Sequence, residues 1–332
     1  MIAQRVRSIG SKLKEVSIAW VLGRGGLLGN AVVSKLEEDS TIWEPSRSII
    51  WTDYLTFQES ILNSVSEFAR DIQMADDRWI IYWCAGIATL GTEPDLNNEF
   101  SQIEFLLECL DSRLGEALSR GTLVYSSSAG GIYGGSSEEL ITENSAIAIN
   151  SNYGDLKFRV ENSIEIWSKN TGCRVAICRI ANIYGPNQNF LKRQGFITAA
   201  CLNLLLQRPL EIFVPLDTKR NYINARDAAH VIVGLANKVS QLPVSTVELK
   251  LVCSPHNLSL ASLLRELRQV FGRMPPISLG QRSTTSLYVK NLSMNSWRHQ
   301  EVEPEQFILP AIGIAEVRHH LLSRHIAMGL AH

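Results

Sequence analysis

Gly23-Arg24-Gly25-Gly26-Leu27-Leu28-Gly29 is the stretch that decides the fold. Ahead of it runs the apolar segment Val16 to Leu22, which reads as a first β-strand; behind it, Gly26 to about Glu38 reads as a first helix. Glycines at a strand-to-helix turn let the backbone bend tightly and approach a pyrophosphate, which then rests on amide groups at the helix N-terminus. Gly23, Arg24, Gly26, Leu27, Leu28 and Gly29 are therefore candidate dinucleotide-binding residues. At the head of a chain that goes on alternating strand and helix, this loop predicts a doubly wound, mostly parallel α/β sheet.

The next apolar runs continue the alternation. A second strand is expected around Thr41 to Pro45 and a third at Ile49 to Thr52. Trp79 to Trp83 makes a fourth, and it ends in Cys84-Ala85-Gly86, small residues past which a cofactor can lie close. Asn97 to Leu118 has helical periodicity, with Ile103, Leu106, Leu107, Leu110, Leu114 and Ala117 as its apolar stripe. Leu123 to Tyr125 is a buried strand expected to open into a turn at Ser126-Ser127-Ser128-Ala129-Gly130-Gly131. In the helix that follows, Tyr153 and Lys157 stand at i and i+4 on one face. A free phenol titrates near ~10 and a lysine near ~10.4, so a neighbouring ammonium favours the phenolate and makes Tyr153 a better proton donor and acceptor.

Three features together, namely the G-x-x-G-x-x-G loop, the serine-rich strand end and Y-x-x-x-K, resemble the short-chain dehydrogenase/reductase superfamily. More narrowly, they resemble its extended branch of NAD(P)-dependent nucleotide-sugar epimerases, dehydratases and reductases. Ile132-Tyr133-Gly134 and Arg179-Ile180-Ala181-Asn182-Ile183-Tyr184-Gly185-Pro186 fit the same branch. The resemblance spans about residues 16 to 272 and fades over the last 60. It implies a Rossmann-type domain over 16–182, with a strand and helix returning near 226–252. It also implies that 183–332 forms mainly a smaller C-terminal substrate-binding lobe.

The resemblance assigns roles as well. Tyr153 would exchange a proton with the reacting oxygen, and Lys157 would shift Tyr153 and bind the nicotinamide ribose. Ser128 would hydrogen-bond the same oxygen, with Ser127 as the alternative because an extra glycine leaves the register open by one. Arg47 falls where related enzymes carry the residue that meets the adenosine ribose, and an arginine there pairs with a 2′-phosphate, pointing to NADP. Glu44 would point to NAD instead if the strand ends earlier. Asp53 falls beside the adenine, and Cys84, Ala85 and Gly86 line the cofactor's path. Asn182 and Arg220 fall where substrate phosphate or ribose is bound. The expected chemistry is hydride transfer to or from a nucleotide-linked sugar, as a 4-epimerase or 4-ketoreductase. A carbonyl reductase on a non-sugar substrate and a cofactor-binding, non-catalytic subunit both stay open.

Composition limits the other options. A net charge of -1 gives no reason to expect nucleic acid or an anionic membrane as partner. The six cysteines show no C-x-x-C pair and read as reduced thiols in a reducing compartment. With no apolar run near ~18 residues, and with Arg5, Arg7, Lys12 and Lys14 leading straight into the first strand, a cytoplasmic protein is expected. His319, His320 and His325 lie in a helical stretch with few acids, so no metal site is expected. The resemblance implies a homodimer paired through the helices Asn97 to Leu118 and Asn152 to Lys169, whose apolar content exceeds what one sheet face needs.

Overall fold

A computed structural model describes residues 18–38, 40–75, 78–86, 93–188, 195–274, 276–280 and 289–327, with the side chains of 75, 93–97 and 325–327 outside that description. The basic N-terminal residues, Val16 and the His325 side chain therefore lie outside it.

Six parallel strands form the central sheet: β1 (Ile18–Leu22), β2 (Thr41–Trp43), β3 (Trp79–Trp83), β4 (Gly121–Ser128), β5 (Arg174–Ile180) and, much later in the chain, β9 (Val247–Val252). Their order is β2-β1-β3-β4-β5-β9. The chain runs outward from β1 to β2 and then crosses back to β3 on the other side of β1. The reversal opens a crevice at the C-terminal ends of β1 and β3, where a Rossmann-type sheet takes its ligand.

Period-two alternation fills both faces. Ala19, Val21, Ile80, Tyr82, Val124, Ala176 and Cys178 pack with helices α1 (Leu27–Leu36) and α7 (Ala225–Val239). Trp20, Leu22, Trp79, Ile81, Trp83, Leu123, Tyr125, Val175 and Ile177 face α2 (Tyr54–Ala75), α3 (Glu93–Leu114) and α5 (Asn152–Thr171). Because helices cover both faces, strands such as Trp79–Trp83 are apolar throughout rather than alternating.

The structure departs from the sequence reading in three places. Residues 49–52 form no strand; they are the approach to α2, which Asp53 caps by accepting from the Thr56 amide at 3.0 Å. Phe57, Ile61, Val65, Phe68 and Ile72 recur along α2 and meet the tryptophans of the sheet. The serines after Tyr125 do not turn out of the sheet. They extend β4, pairing Ser126, Ser127 and Ser128 with Cys178, Arg179 and Ile180. Asn97 to Leu118 is also two elements, since α3 stops at Leu114 and a 3-10 turn spans Gly115–Arg120.

Beyond β5 the chain builds a second, smaller sheet. Its strand β8 (Lys219–Asn224) pairs with β6 (Asn182–Tyr184) and β12 (Asn291–Leu292) in parallel, and with β10 (Asn257–Ser259) antiparallel. A separate apolar cluster joins α6 (Phe196–Leu205), α8 (Leu260–Phe271) and α9 (Pro310–Ala327) through Ile197, Leu204, Leu263, Leu267, Ile314 and Val317. Gly272 closes α8 at φ 68°, a left-handed turn that glycine takes without strain.

Candidate active site at the sheet's C-terminal edge

Gly23 takes φ 84°, and a Cβ there would come within 2.6 Å of the Ala85 amide at the end of β3. Only glycine permits that approach. Gly26 precedes α1 with no side-chain cap, and the first turn of that helix carries no acidic residue. The amides at the α1 N-terminus thus lie at the crevice with no carboxylate of that turn to oppose an anion. A Cβ on Gly25 would meet nothing within 4 Å. The cradle fits a dinucleotide pyrophosphate.

Strand β2 ends at Trp43, so Glu44 is the first residue past it, and the Glu44 carboxylate makes an ion pair with Arg24 of the glycine loop. Arg47 lies further out and exposed. There it neighbours Glu67, whose carboxyl is held below its ordinary range first by hydrogen bonds from Ser46 and then by Arg70 and Arg47. The Asp53 carboxyl is likewise lowered, first by its Thr56 hydrogen bond. Cys84 is partly buried, and burial pushes its thiol up to about 12.

Ser128, Tyr153 and Lys157 come together around two glycines. Ser128 Oγ accepts from the Gly131 amide at 3.1 Å, capping the short helix α4 (Ala129–Ile132) and leaving its own O–H to donate. A Cβ on Gly131 would stand 3.3 Å from the Tyr153 ring, and one on Gly154 would fall on the Gly131 carbonyl oxygen. The serine turn and the tyrosine helix therefore touch backbone to backbone. Lys157 Nζ lies 5.6 Å from the centre of the Tyr153 ring and 5.4 Å from that of Tyr125. Burial lowers the Lys157 pKa, but Tyr125, Glu99 and Tyr153 outweigh it and hold the ammonium well above its ordinary value.

Ser127, the alternative serine, points the other way. Its Oγ donates to Glu161 at 2.5 Å, and Arg179 grips the same carboxylate with Nε and Nη2 while donating through Nη1 to Tyr133 at 2.6 Å. Strand alternation causes the split, since successive side chains leave β4 on opposite faces.

Asn182 Nδ2 donates to the Asn221 carbonyl at 2.9 Å, at the start of β6. The Arg220 fork is engaged with main chain, donating to the Lys219 and Val289 carbonyls at 2.7 and 2.9 Å. Glu143, in the polar stretch before Tyr153, accepts from the Leu251 amide, Ser296 Oγ and the Trp297 amide at 3.1, 2.5 and 3.2 Å. It fastens that stretch to β9 and to the C-terminal segment.

One residue of the site was missed in the sequence. Glu99, on α3, is 2% exposed and sits 2.5 Å from Lys157 Nζ. Its signal was present, because Glu99 falls one turn before Ile103 and continues the apolar stripe with a carboxylate. The stripes of α3 and α5 are absorbed within the subunit; among the described residues, Ile166 is the large hydrophobic side chain that these helices leave exposed. The apolar surplus that suggested a dimer seam is thus largely used internally. No group of histidine, cysteine and carboxylate side chains that could hold a metal, and no helix long and apolar enough to cross a membrane, occurs among the described residues.

A family model described as the NAD dependent epimerase/dehydratase family matches residues 19–247. Comparison with curated protein sequences gives no match. Among solved structures, the chain resembles UDP-glucose 4-epimerase from Thermotoga maritima with UDP-glucose, at TM-score 0.72 and 18% identity over 92% of this chain and 99% of that one. It also resembles RMD from Pseudomonas aeruginosa complexed with NADPH, at TM-score 0.73 and 18% identity over 93% and 100%. For dTDP-glucose 4,6-dehydratase from Bacillus anthracis in complex with NAD, the values are 0.72 and 17% over 94% and 98%. At these identities the likeness establishes the fold.

Proposed function

The chain belongs to the NAD dependent epimerase/dehydratase family, and on that premise we propose that it moves a hydride to or from a nucleotide-linked sugar, as a 4-epimerase or 4-ketoreductase. The observation that carries the reading is the Gly131–Gly154 contact, which joins the Ser128 turn to the Tyr153–Lys157 helix at the mouth of the dinucleotide crevice. The residues around Gly23 and the α1 N-terminus would hold the dinucleotide, which when bound supplies the hydride donor or acceptor. Tyr153 gives a proton to the sugar oxygen or takes one from it. Ser128 donates a hydrogen bond to that oxygen and so stabilises the charge that develops there. Lys157 keeps a positive charge beside the phenol and binds the ribose. Asn182 and Arg220 remain candidates for the substrate's phosphates; for that task Arg220 exchanges its backbone carbonyls for phosphate oxygens.

On cofactor choice, the observation that β2 ends at Trp43 favours NAD over NADP. Glu44 then takes the place from which a carboxylate accepts from the ribose hydroxyls, and a 2′-phosphate would meet its charge. Arg47, on which the NADP expectation rests, stands further along the loop.

Tyr153→Phe tests the core of the reading. General acid–base catalysis contributes ~10² to 10⁴ in rate, so turnover of UDP- or dTDP-sugars should fall by about that factor while dinucleotide affinity holds. Ser128→Ala should also slow turnover with affinity intact, and Lys157→Ala should lose both. Full activity in Tyr153→Phe would remove the assignment. Tight dinucleotide binding by a wild type that turns over no sugar nucleotide or carbonyl compound would favour the non-catalytic reading.

A further inference from the structure

Proton exchange through Tyr153 and Lys157 needs an ammonium beside the phenol; it does not need a carboxylate on that ammonium. Yet Glu99 reaches Lys157 Nζ at 2.5 Å, with 2% and 5% of the two side chains exposed. Burying a carboxylate costs several kcal/mol unless it is well paired, and on the α3 stripe a leucine would fill the place without that cost. The carboxylate also borders the crevice, since a Cβ on Gly86 at the end of β3 would stand 3.4 Å from Glu99 Oε2.

We propose that Glu99 is a positioning residue: it pins the Lys157 ammonium between the Tyr125 and Tyr153 rings and, as its counter-charge, limits the pull of that ammonium on the Tyr153 hydroxyl. The proposal rests on the roles given above to Tyr153 and Lys157. A lysine side chain is a point charge on a long flexible stem, and an ion pair fixes where that charge sits. Among the described residues, the charged and titratable groups acting on it are Glu99 from α3, Tyr125 from β4 and Tyr153 from α5, and Glu161 of α5 acts in turn on Tyr125. Glu161 is already matched by Arg179 of β5. The pair Glu99–Lys157 is therefore close to neutral as seen from Tyr153, and removing the carboxylate leaves a full positive charge.

Glu99→Gln keeps the shape and removes the charge. The Lys157 charge, 5.6 Å from the centre of the Tyr153 ring, is worth roughly two pH units at an effective dielectric constant of about 20, and that is the pull Glu99 offsets. The limb of the kcat–pH profile that belongs to Tyr153 should therefore move down by about that much, with KM for the sugar nucleotide little changed. Glu99→Asp, which keeps the charge, should restore a profile near that of the wild type. Should Glu99→Gln fold poorly, Glu99→Met fills the same space without charge and should show the same downward shift. A second readout is independent of turnover: phenolate absorbance is titrated in the protein with and without Tyr153→Phe, and the difference isolates that tyrosine. Its midpoint should fall in Glu99→Gln. A midpoint and a limb that stay in place, or that move upward, would overturn the proposal. If the midpoint falls but no sugar nucleotide is turned over even by the wild type, the charge coupling holds and the functional reading fails instead.

Discussion

Two buried ion pairs stand one helical turn apart along α5, and they are built differently. Glu161 has its carboxylate filled: Arg179 binds it through two nitrogens, Ser127 donates to it, and the third arginine nitrogen donates to Tyr133. Arg179, Ser127, Glu161 and Tyr133 come from β5, β4, α5 and the end of α4, so the network braces four elements. Glu99 and Lys157 meet through a point-charge ammonium, with the Tyr125 and Tyr153 rings for neighbours and a buried Tyr125 hydroxyl that has no hydrogen-bond partner among the described residues. A fully satisfied network fixes structure. The lysine pair, held by a single point charge, fixes its partners less rigidly than a planar fork does.

That contrast can be broken or sharpened by substitution. Arg179→Met should have the largest effect, because it leaves the Glu161 carboxylate buried without its cation; removing one partner of such a pair costs about 3–5 kcal/mol. Denaturant unfolding measures it, and a loss below about 1 kcal/mol would mean that the brace is no firmer than the pair at the site. Next comes the exposed pair, Arg24 with Glu44, whose side chains are 48% and 58% exposed. Glu44→Ala should leave stability almost unchanged, as for surface pairs in general. It should still cost NADH about 1.5 kcal/mol of affinity, or roughly tenfold, the low end for a hydrogen bond to a charged group. NADPH should not lose affinity. Comparative titration of the two cofactors reads this, and a wild type that prefers NADPH would return the choice to Arg47. The smallest effect belongs to Tyr125→Phe, which deletes a hydroxyl without a partner. Its stability should change by no more than about 1 kcal/mol and should tend upward, whereas a loss beyond that would reveal a bridging water in the Lys157 cluster.

The parts of the fold that were legible in the sequence are those with one dominant local signal. The glycine loop and the all-apolar run Trp79–Trp83 announce themselves by residue type and spacing. The α2 helix is masked in the sequence by the extended look of Ile49–Thr52; its signals are the cap, Asp53 with Thr56, and the stripe beginning at Phe57. The serines were read as a turn because serine is a turn former; β4 keeps them extended because β5 supplies their partners, which is a long-range fact. At the site, Tyr153 and Lys157 were legible as a pair. Glu99 stands on the apolar stripe of α3, but it lies 58 residues from Lys157, and nothing in the sequence couples the two. The end of β2 was visible only to within a few residues, and those few decide between Glu44 and Arg47.

The fastening of Glu143 sets an order of events during synthesis. Tyr153, Lys157 and the serine strand leave the ribosome early, and helix and sheet can form as they emerge, since domains begin to fold from the N-terminal side. Local bonds, such as Asn150 Nδ2 to the Gly134 carbonyl and the Ala148 amide to the Ile132 carbonyl, can tie down the polar stretch before Tyr153 early, but the Glu143 bonds must wait for Leu251 and for Ser296, 153 positions after it. A nascent or C-terminally clipped chain can thus hold its glycine loop while the Glu143 fastening is still open. Maturation of the candidate site would follow the last segments of the polypeptide rather than the first, and a pulse-chase assay would see cofactor capture before turnover.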